Sequence, residues 1–401
     1  MTLVHDEPVH LAPDVVDRPR PARQPLRLKG MTAADHLNMV RGLAAVAVLW
    51  DHGRAQFFEN FKDGNGYGPL ALFVYTSSRF GHTAVMVFFV MSGLLIGSGA
   101  VDDVRAGRWS WRDYLSKRLT RLYIVLIPAL ALTLSLDRVW VAMSGGRLPA
   151  GAVAISPQYA AEGATPGVVL GNLCFLQNIY VRTLGANTAL WSLSNEFWYY
   201  LIFPCLCLAV AGSGGPRRRL AWGLAGGAML AFVGRAVALY FLIWLIGALL
   251  CLAPPIPWLR RHPGWARGAS AVAFLPLPAV MALIALRKLP GDGWLTDTLL
   301  GLSFGAFLYV LLHRSDVSPG GRYARAAAAL AGFSYTLYLV HMPILLVLRS
   351  CLTYETLWYP DVPHALRMLG VLSLVMALAF AFSRVTEAKT DVLRRRLMRR
   401  A

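Results

Sequence analysis

What most constrains this chain is the recurrence of long apolar runs. Ten stretches, at about 39–53, 82–100, 121–142, 190–211, 220–235, 237–253, 268–286, 295–313, 326–348 and 365–383, are dominated by apolar side chains and separated by polar or basic segments. A helix needs about 20 apolar residues to cross the hydrocarbon core of a bilayer. Within that core every backbone N–H and C=O must be satisfied by the protein itself, which leaves helices as the solution for runs of this kind. With 56% hydrophobic and 15% charged residues among 401, and a mean hydropathy of +0.50, the chain carries too little charge to cover a soluble surface. The expectation is an all-α polytopic membrane protein of about ten transmembrane helices embedded in a lipid bilayer.

The net charge of +18 does not point to nucleic acid, because the basic residues gather in loops between apolar runs, the pattern of cytoplasmic loops facing anionic lipid. The stretch 167–181 is 15 residues long and only moderately apolar, short for a span, and reads as a re-entrant or buried helix. If it does not cross, both termini share a side. The segments 1–36, 101–121, 212–220, 255–267, 314–325 and the residues after 383 then collect 27 of the 39 Lys and Arg on that side, against 11 opposite, with Arg41 inside a span. The positive-inside rule places both ends in the cytoplasm. Residues 1–35 are expected to form a disordered basic tail, 36–386 the transmembrane domain and 387–401 a second basic tail. Segment 54–80 reads as a polar loop, and 144–188 as a long loop that shapes the outer side. The five cysteines lie in or beside apolar segments without metal-ligand spacing and read as packing residues.

Against this background a few polar residues stand out. Arg41 and His52 lie eleven positions apart in the first apolar run, which is within roughly 20° of three full turns and about 16 Å along a helix axis. Both therefore share one face, and ionisable groups there need a polar cavity or partners. Spacing alone fits equally well an Arg at the headgroups and a His at the far interface. Arg118 and Arg121 open the third run three residues apart, on one helical face, where they could hold phosphates. Glu196 sits about a turn inside WSLSNEFWYYLIFP among Trp191, Trp198, Tyr199 and Tyr200. It must be paired, protonated or lined by water. His341 lies well inside SYTLYLVHMPIL. Ser92-Gly93 in FFVMSGLLIG suits close helix packing.

Taken together, RGLAAVAVLWDH, FFVMSGLLIG, KRLTR at 117–121, WSLSNEFWYYLIFP and SYTLYLVHMPIL resemble the acyltransferase-3 family of bacterial integral-membrane acyltransferases. The resemblance covers nearly the whole chain after residue 35. It implies an enzyme that moves an acyl group, acetyl first among them, from cytoplasmic acyl-CoA to a hydroxyl of an envelope or exported carbohydrate or glycolipid. O-antigen, exopolysaccharide, glucan and lipo-oligosaccharide are the acceptor classes implied, and the bacterial inner membrane is the location. By position, Arg41, His52 and Glu196 match the family's catalytic residues and Arg118 and Arg121 its donor-binding pair. Trp191, Ser192, Tyr200, His341 and Ser92 are candidates for binding substrate, and no metal is implied. His52 would act as general base or as nucleophile, with Glu196 orienting it. Asn38 stands where many members have Asp, and Ile124 where many have Pro. The chain is expected to lack the extracytoplasmic hydrolase-like domain that some members carry. A secondary transporter also uses ten helices and buried ionisable groups, but would predict inverted repeats that the sequence does not show. A flippase-like partner of polysaccharide export would tolerate loss of His52.

Overall fold

The fold was analysed in a computed structural model that describes residues 32–62, 66–144, 164–290, 293–314, 320–353 and 356–400. Among these the regular elements are helices, with two isolated β-bridges, Phe58 to Trp358 and Gln177 to Val181. In order run α1 (Thr32–Phe57), α2 (Pro69–Ser77), α3 (Gly81–Arg105), α4 (Trp111–Ser144), α5 (Pro166–Leu173), α6 (Trp191–Ala211), α7 (Pro216–Leu249), α8 (Pro257–Arg261), α9 (Pro263–Phe274), α10 (Pro276–Ala285), α11 (Trp294–Leu311), α12 (Gly321–Ala331), α13 (Ser334–Leu352), α14 (Val362–Val385) and α15 (Thr390–Arg400). Eight helical stretches among the described residues are long and apolar enough to cross a membrane. The chain is thus an all-α polytopic membrane protein.

The ten runs of the sequence differ from these eight stretches at two places. First, α1 is not among the eight, its apolar run being diluted by His36, Asn38, Arg41, Asp51 and His52. Second, α7 joins the runs 220–235 and 237–253 across Gly234, whose φ of 78° and ψ of 174° interrupt the helix. The chain reverses there. Residues 223 to 232 follow α6 from Ala209 to Trp198. From Val237, which accepts a hydrogen bond from Tyr199, to Trp244 against Phe203, the chain walks back along α6. Glycine is suited to a positive φ because it has no Cβ to clash with the preceding carbonyl.

Three other boundaries move. Segment 54–80 is not all loop: Pro69 opens α2 at its first turn, where its missing N–H costs no hydrogen bond. The expected run 326–348 is split at Gly332-Phe333 into α12 and α13. The first tail is shorter than 1–35, because α1 already starts at Thr32 with Ala33 buried. The remainder of that tail, and residues 145–163 of the expected outer loop, lie outside the described residues. The segment 167–181 holds all but the first residue of the eight-residue α5, followed by turns. Eight residues rise about 12 Å, too little to cross a bilayer.

The core is a bundle in which α3 is central, packed against α1, α6, α7 and α11. Its contact with the returning half of α7 is made by backbone. A Cβ on Gly93 would lie 2.0 Å from the Trp244 carbonyl oxygen, and one on Gly247 would lie 1.8 Å from that of Val90. Small residues are what allow membrane helices to approach this closely. The expected packing role of Gly93 is therefore met, and the crossing turns the neighbouring Ser92 toward the interior.

Candidate active site

The site begins where α1 meets α12. Gly42 lies against this partner, and a Cβ there would come within 2.5 Å of Leu330 Cβ. That close approach brings the end of α12 to Arg41, which donates from Nη2 to the carbonyl of Ala331 at 2.9 Å. A cation at a helix C-terminus satisfies a carbonyl that has no intrahelical donor and complements the helix dipole. The Nε of Arg41 is buried and has no protein partner in the described structure. Arg121 of α4 and Glu387, just beyond α14, lie within electrostatic reach of Arg41. Glu387 is anchored through Oε2, which accepts from the backbone N–H of Thr336 at 3.0 Å and from its hydroxyl at 2.8 Å. Two guanidinium groups against one carboxylate leave this end of the bundle positive.

From there a partly open cavity of about 100 Å³ runs between α3, α6 and α13. Arg41 and Arg121 line one end, and Val85, Phe88, Ser192 and Tyr338 line it farther along. Ser92, Glu196 and Tyr200 form its polar flank. Ser92 donates to Glu196 Oε1 at 2.8 Å and receives the indole N–H of Trp244 at 3.2 Å, and Tyr200 donates to the same carboxylate oxygen. Ser192 bonds the Tyr338 hydroxyl at 2.7 Å. The apolar wall is aromatic, Phe88 meeting Tyr338 edge-on with ring centres 6.1 Å apart.

Beyond Tyr338 lies a pair of imidazoles. His52 Nδ1 and His341 Nε2 are 2.7 Å apart, with ring planes 12° from parallel. The protonation pattern follows from the surroundings. His341 Nδ1 is 3.0 Å from the carbonyl oxygen of Leu337, which can only accept, so Nδ1 carries the proton and Nε2 of a neutral ring has the lone pair. His52 must then donate from Nδ1, and its own Nε2 is the free base. His341 is 1% exposed. Two residues on, Pro343 has no N–H for the carbonyl of Leu339. That carbonyl accepts from Asn187 Nδ2 at 2.8 Å instead, which ties α13 to the loop before α6 at the level of the histidines.

The sequence-derived candidates sort themselves accordingly. Arg41, Arg121, Ser92, Ser192, Glu196 and Tyr200 share the cavity, and His52 and His341 join beside it. Two expectations are corrected. Glu196 does not orient His52: its partners are Ser92 and Tyr200, and the imidazole is held by His341. Arg118 and Arg121 do not line the cavity as a matched pair. Only Arg121 lines the cavity, whereas the Arg118 guanidinium lies over the Tyr114 ring at 5.1 Å. Trp191 stands behind the lining, packed on Phe89, Tyr240 and His82. Glu387 was assigned to a tail, yet it belongs to the site. The signal available was an acidic residue at the end of the last apolar run, directly before a strongly basic segment. Among the described residues no group of three or more His, Cys, Asp or Glu side chains is placed to hold a metal ion.

The described residues thus form an all-helical membrane bundle with arginines at one end of a cavity and a hydrogen-bonded imidazole pair beyond it. The chain belongs to the acyltransferase-3 family: residues 35–384 match that family, described as an acyltransferase domain. No curated protein and no solved structure matches the chain.

Proposed function

We propose that the protein transfers an acyl group, acetyl in the first place, from cytoplasmic acyl-CoA to a hydroxyl of an envelope or exported carbohydrate, within the bacterial inner membrane. The observation that carries this reading is a single cavity that leads from Arg41 and Arg121 to the Tyr338 ring beside the His341–His52 pair. Counting α1 and the two arms around Gly234 separately gives ten spans, with both termini on the cytoplasmic side by the distribution of Lys and Arg. The arginine end is then the cytoplasmic mouth and the histidines lie farther across.

In this reading Arg121 and the unpartnered Nε of Arg41 bind the donor's phosphates by charge-assisted hydrogen bonds. The pantetheine arm follows the cavity, where Glu196 offers it an acceptor oxygen for an amide N–H. The acceptor hydroxyl gives its proton to His52 Nε2 as its oxygen attacks the thioester carbonyl carbon. The tetrahedral intermediate collapses with cleavage of the C–S bond, and the same proton passes from His52 to the departing sulfur, so ester and thiol form with no net proton change. His341 keeps His52 in the tautomer this requires, as the orienting member of a triad does.

The test is acyl transfer in membranes carrying the full chain or His52→Ala, with radiolabelled acetyl-CoA and extracted envelope glycans. Label in glycan should vanish with the substitution while the protein remains in the membrane. Undiminished label in His52→Ala would overturn the assignment.

A further inference from the structure

A third imidazole lies at the histidine end of the bundle, outside the machinery described above. His82 opens α3 and donates its Nε2–H to both carboxylate oxygens of Asp297 in α11, at 2.9 and 3.0 Å. Asp297 is fully buried, whereas a quarter of the His82 side chain remains exposed. With Nε2 committed to Asp297, the neutral ring keeps its lone pair on Nδ1, for which the described structure provides no partner. A buried carboxylate–imidazole pair contributes little stability compared with apolar residues of the same size. Its geometry instead makes Nδ1 a strengthened hydrogen-bond acceptor.

The surroundings show what it faces. His82, Val85 and Phe89 share one face of α3, and Val85 and Phe89 line the cavity. His82 therefore stands a turn beyond the cavity end. Its ring lies nearly parallel to Trp191, 11° between planes with centres 6.2 Å apart, and Tyr240 meets it edge-on at 6.3 Å. On the other side α3 touches α1: a Cβ on Gly81 would lie 2.3 Å from the carboxylate of Asp51, the neighbour of His52. The dyad is thus linked through Asp51 to the segment that carries the base. An acceptor nitrogen on a partly exposed imidazole beside Trp and Tyr rings matches a sugar ring, which presents both hydroxyls and an apolar C–H face.

We infer that His82, held by Asp297, is an acceptor-binding residue whose Nδ1 takes a hydrogen bond from a hydroxyl of a carbohydrate seated against Trp191 and Tyr240. This rests on the acyl-transfer reading above and adds the acceptor subsite to it. No bond to the transferred group is made at His82.

The experiment uses the full chain in lipid nanodiscs, radiolabelled acetyl-CoA, and the extracted envelope-glycan fraction dosed by hexose content. His82→Phe keeps a ring against Trp191 and removes both nitrogens. The double variant His82→Phe with Asp297→Leu does so without leaving a buried carboxylate unpaired, and serves where the single variant fails to fold. His82→Asn restores a polar group near the Nδ1 position. The expected result is a tenfold or greater rise in the glycan concentration at half-saturation for the Phe variants, KM for acetyl-CoA within twofold of wild type, and recovery in His82→Asn. An unchanged glycan dependence, or equal weakening of both substrates, would overturn the inference. Wild-type protein that labels no glycan would instead refute the carbohydrate acceptor itself, and the subsite with it.

Discussion

Replacing His341 with Phe tests the imidazole pair most directly. The ring volume and its place beside Tyr338 are kept, but Nε2 no longer accepts from His52 Nδ1 at 2.7 Å. A neutral hydrogen bond contributes about 0.5–1.5 kcal/mol, and leaving a buried donor without a partner costs about 1–3 kcal/mol. His52 can evade part of that cost only by moving its proton to Nε2, which abolishes the base. Both routes place the loss in transition-state stabilisation, at about 1.5–3 kcal/mol, or roughly ten- to 150-fold in kcat. KM for acetyl-CoA should hold, because the arginines proposed to bind its phosphates lie at the other end of the cavity. His341→Gln, whose amide oxygen reaches the position of Nε2, should restore most of the rate. The assay is transfer from radiolabelled acetyl-CoA under single-turnover conditions, which separates chemistry from product release. If His341→Phe turned over at the wild-type rate, or if Gln were as slow as Phe, the orienting role would be wrong.

Other consequences follow from the same geometry. Arg121→Ala should raise KM for acetyl-CoA about tenfold or more and flatten its dependence on salt, whereas Arg118→Ala, whose guanidinium rests on Tyr114, should change it less; kinetics across an ionic-strength series distinguish the two. Glu387→Gln retains a hydrogen-bonding group for Thr336 but removes the carboxylate between Arg41 and Arg121, so donor affinity should shift with little loss of folded protein, as read by equilibrium dialysis of labelled CoA. Gly247→Ala drives a methyl into the Val90 carbonyl and should destabilise the bundle by about 1–3 kcal/mol, seen as a lower melting temperature in detergent. Asp361 caps α14 through the backbone N–H of His364, which holds its carboxyl below the usual carboxylate range. A depressed pKa means its stabilisation is present in full above the ordinary carboxylate pKa and fades as pH falls through the lowered one. Asp361→Ala should therefore melt earlier than wild type at neutral pH, with the gap closing in strong acid.

Much of the site was visible in one dimension because membrane helices penalise ionisable residues. Arg41, His52, Glu196 and His341 stood out against apolar neighbours, and each faces either the cavity or another polar group. The partnerships among them were not visible. Glu196 and His341 were both available to His52, and the choice depends on which helix lies beside α1 at that depth, a matter of packing between residues nearly 300 positions apart. Arg118 and Arg121 share a face by periodicity, but Tyr114 one turn earlier draws one of them away. Glu387 and the His82–Asp297 pair were missed for a related reason. Each sits at the end of an apolar run, where a polar residue is ordinarily a boundary and gives no sign of the partner it meets.

That the chain is a helical bundle in a membrane, and which few side chains had to be sheltered, can be read from the residues in order, since the length of an apolar run and the cost of a charge within it are local properties. The tertiary structure decided where the chain reverses inside α7, which helices cross at Gly93 and Gly247, and which nitrogen of His52 is free. These depend on backbone approach and on the donor or acceptor character of groups brought together from distant segments, and no periodicity in the chain encodes them.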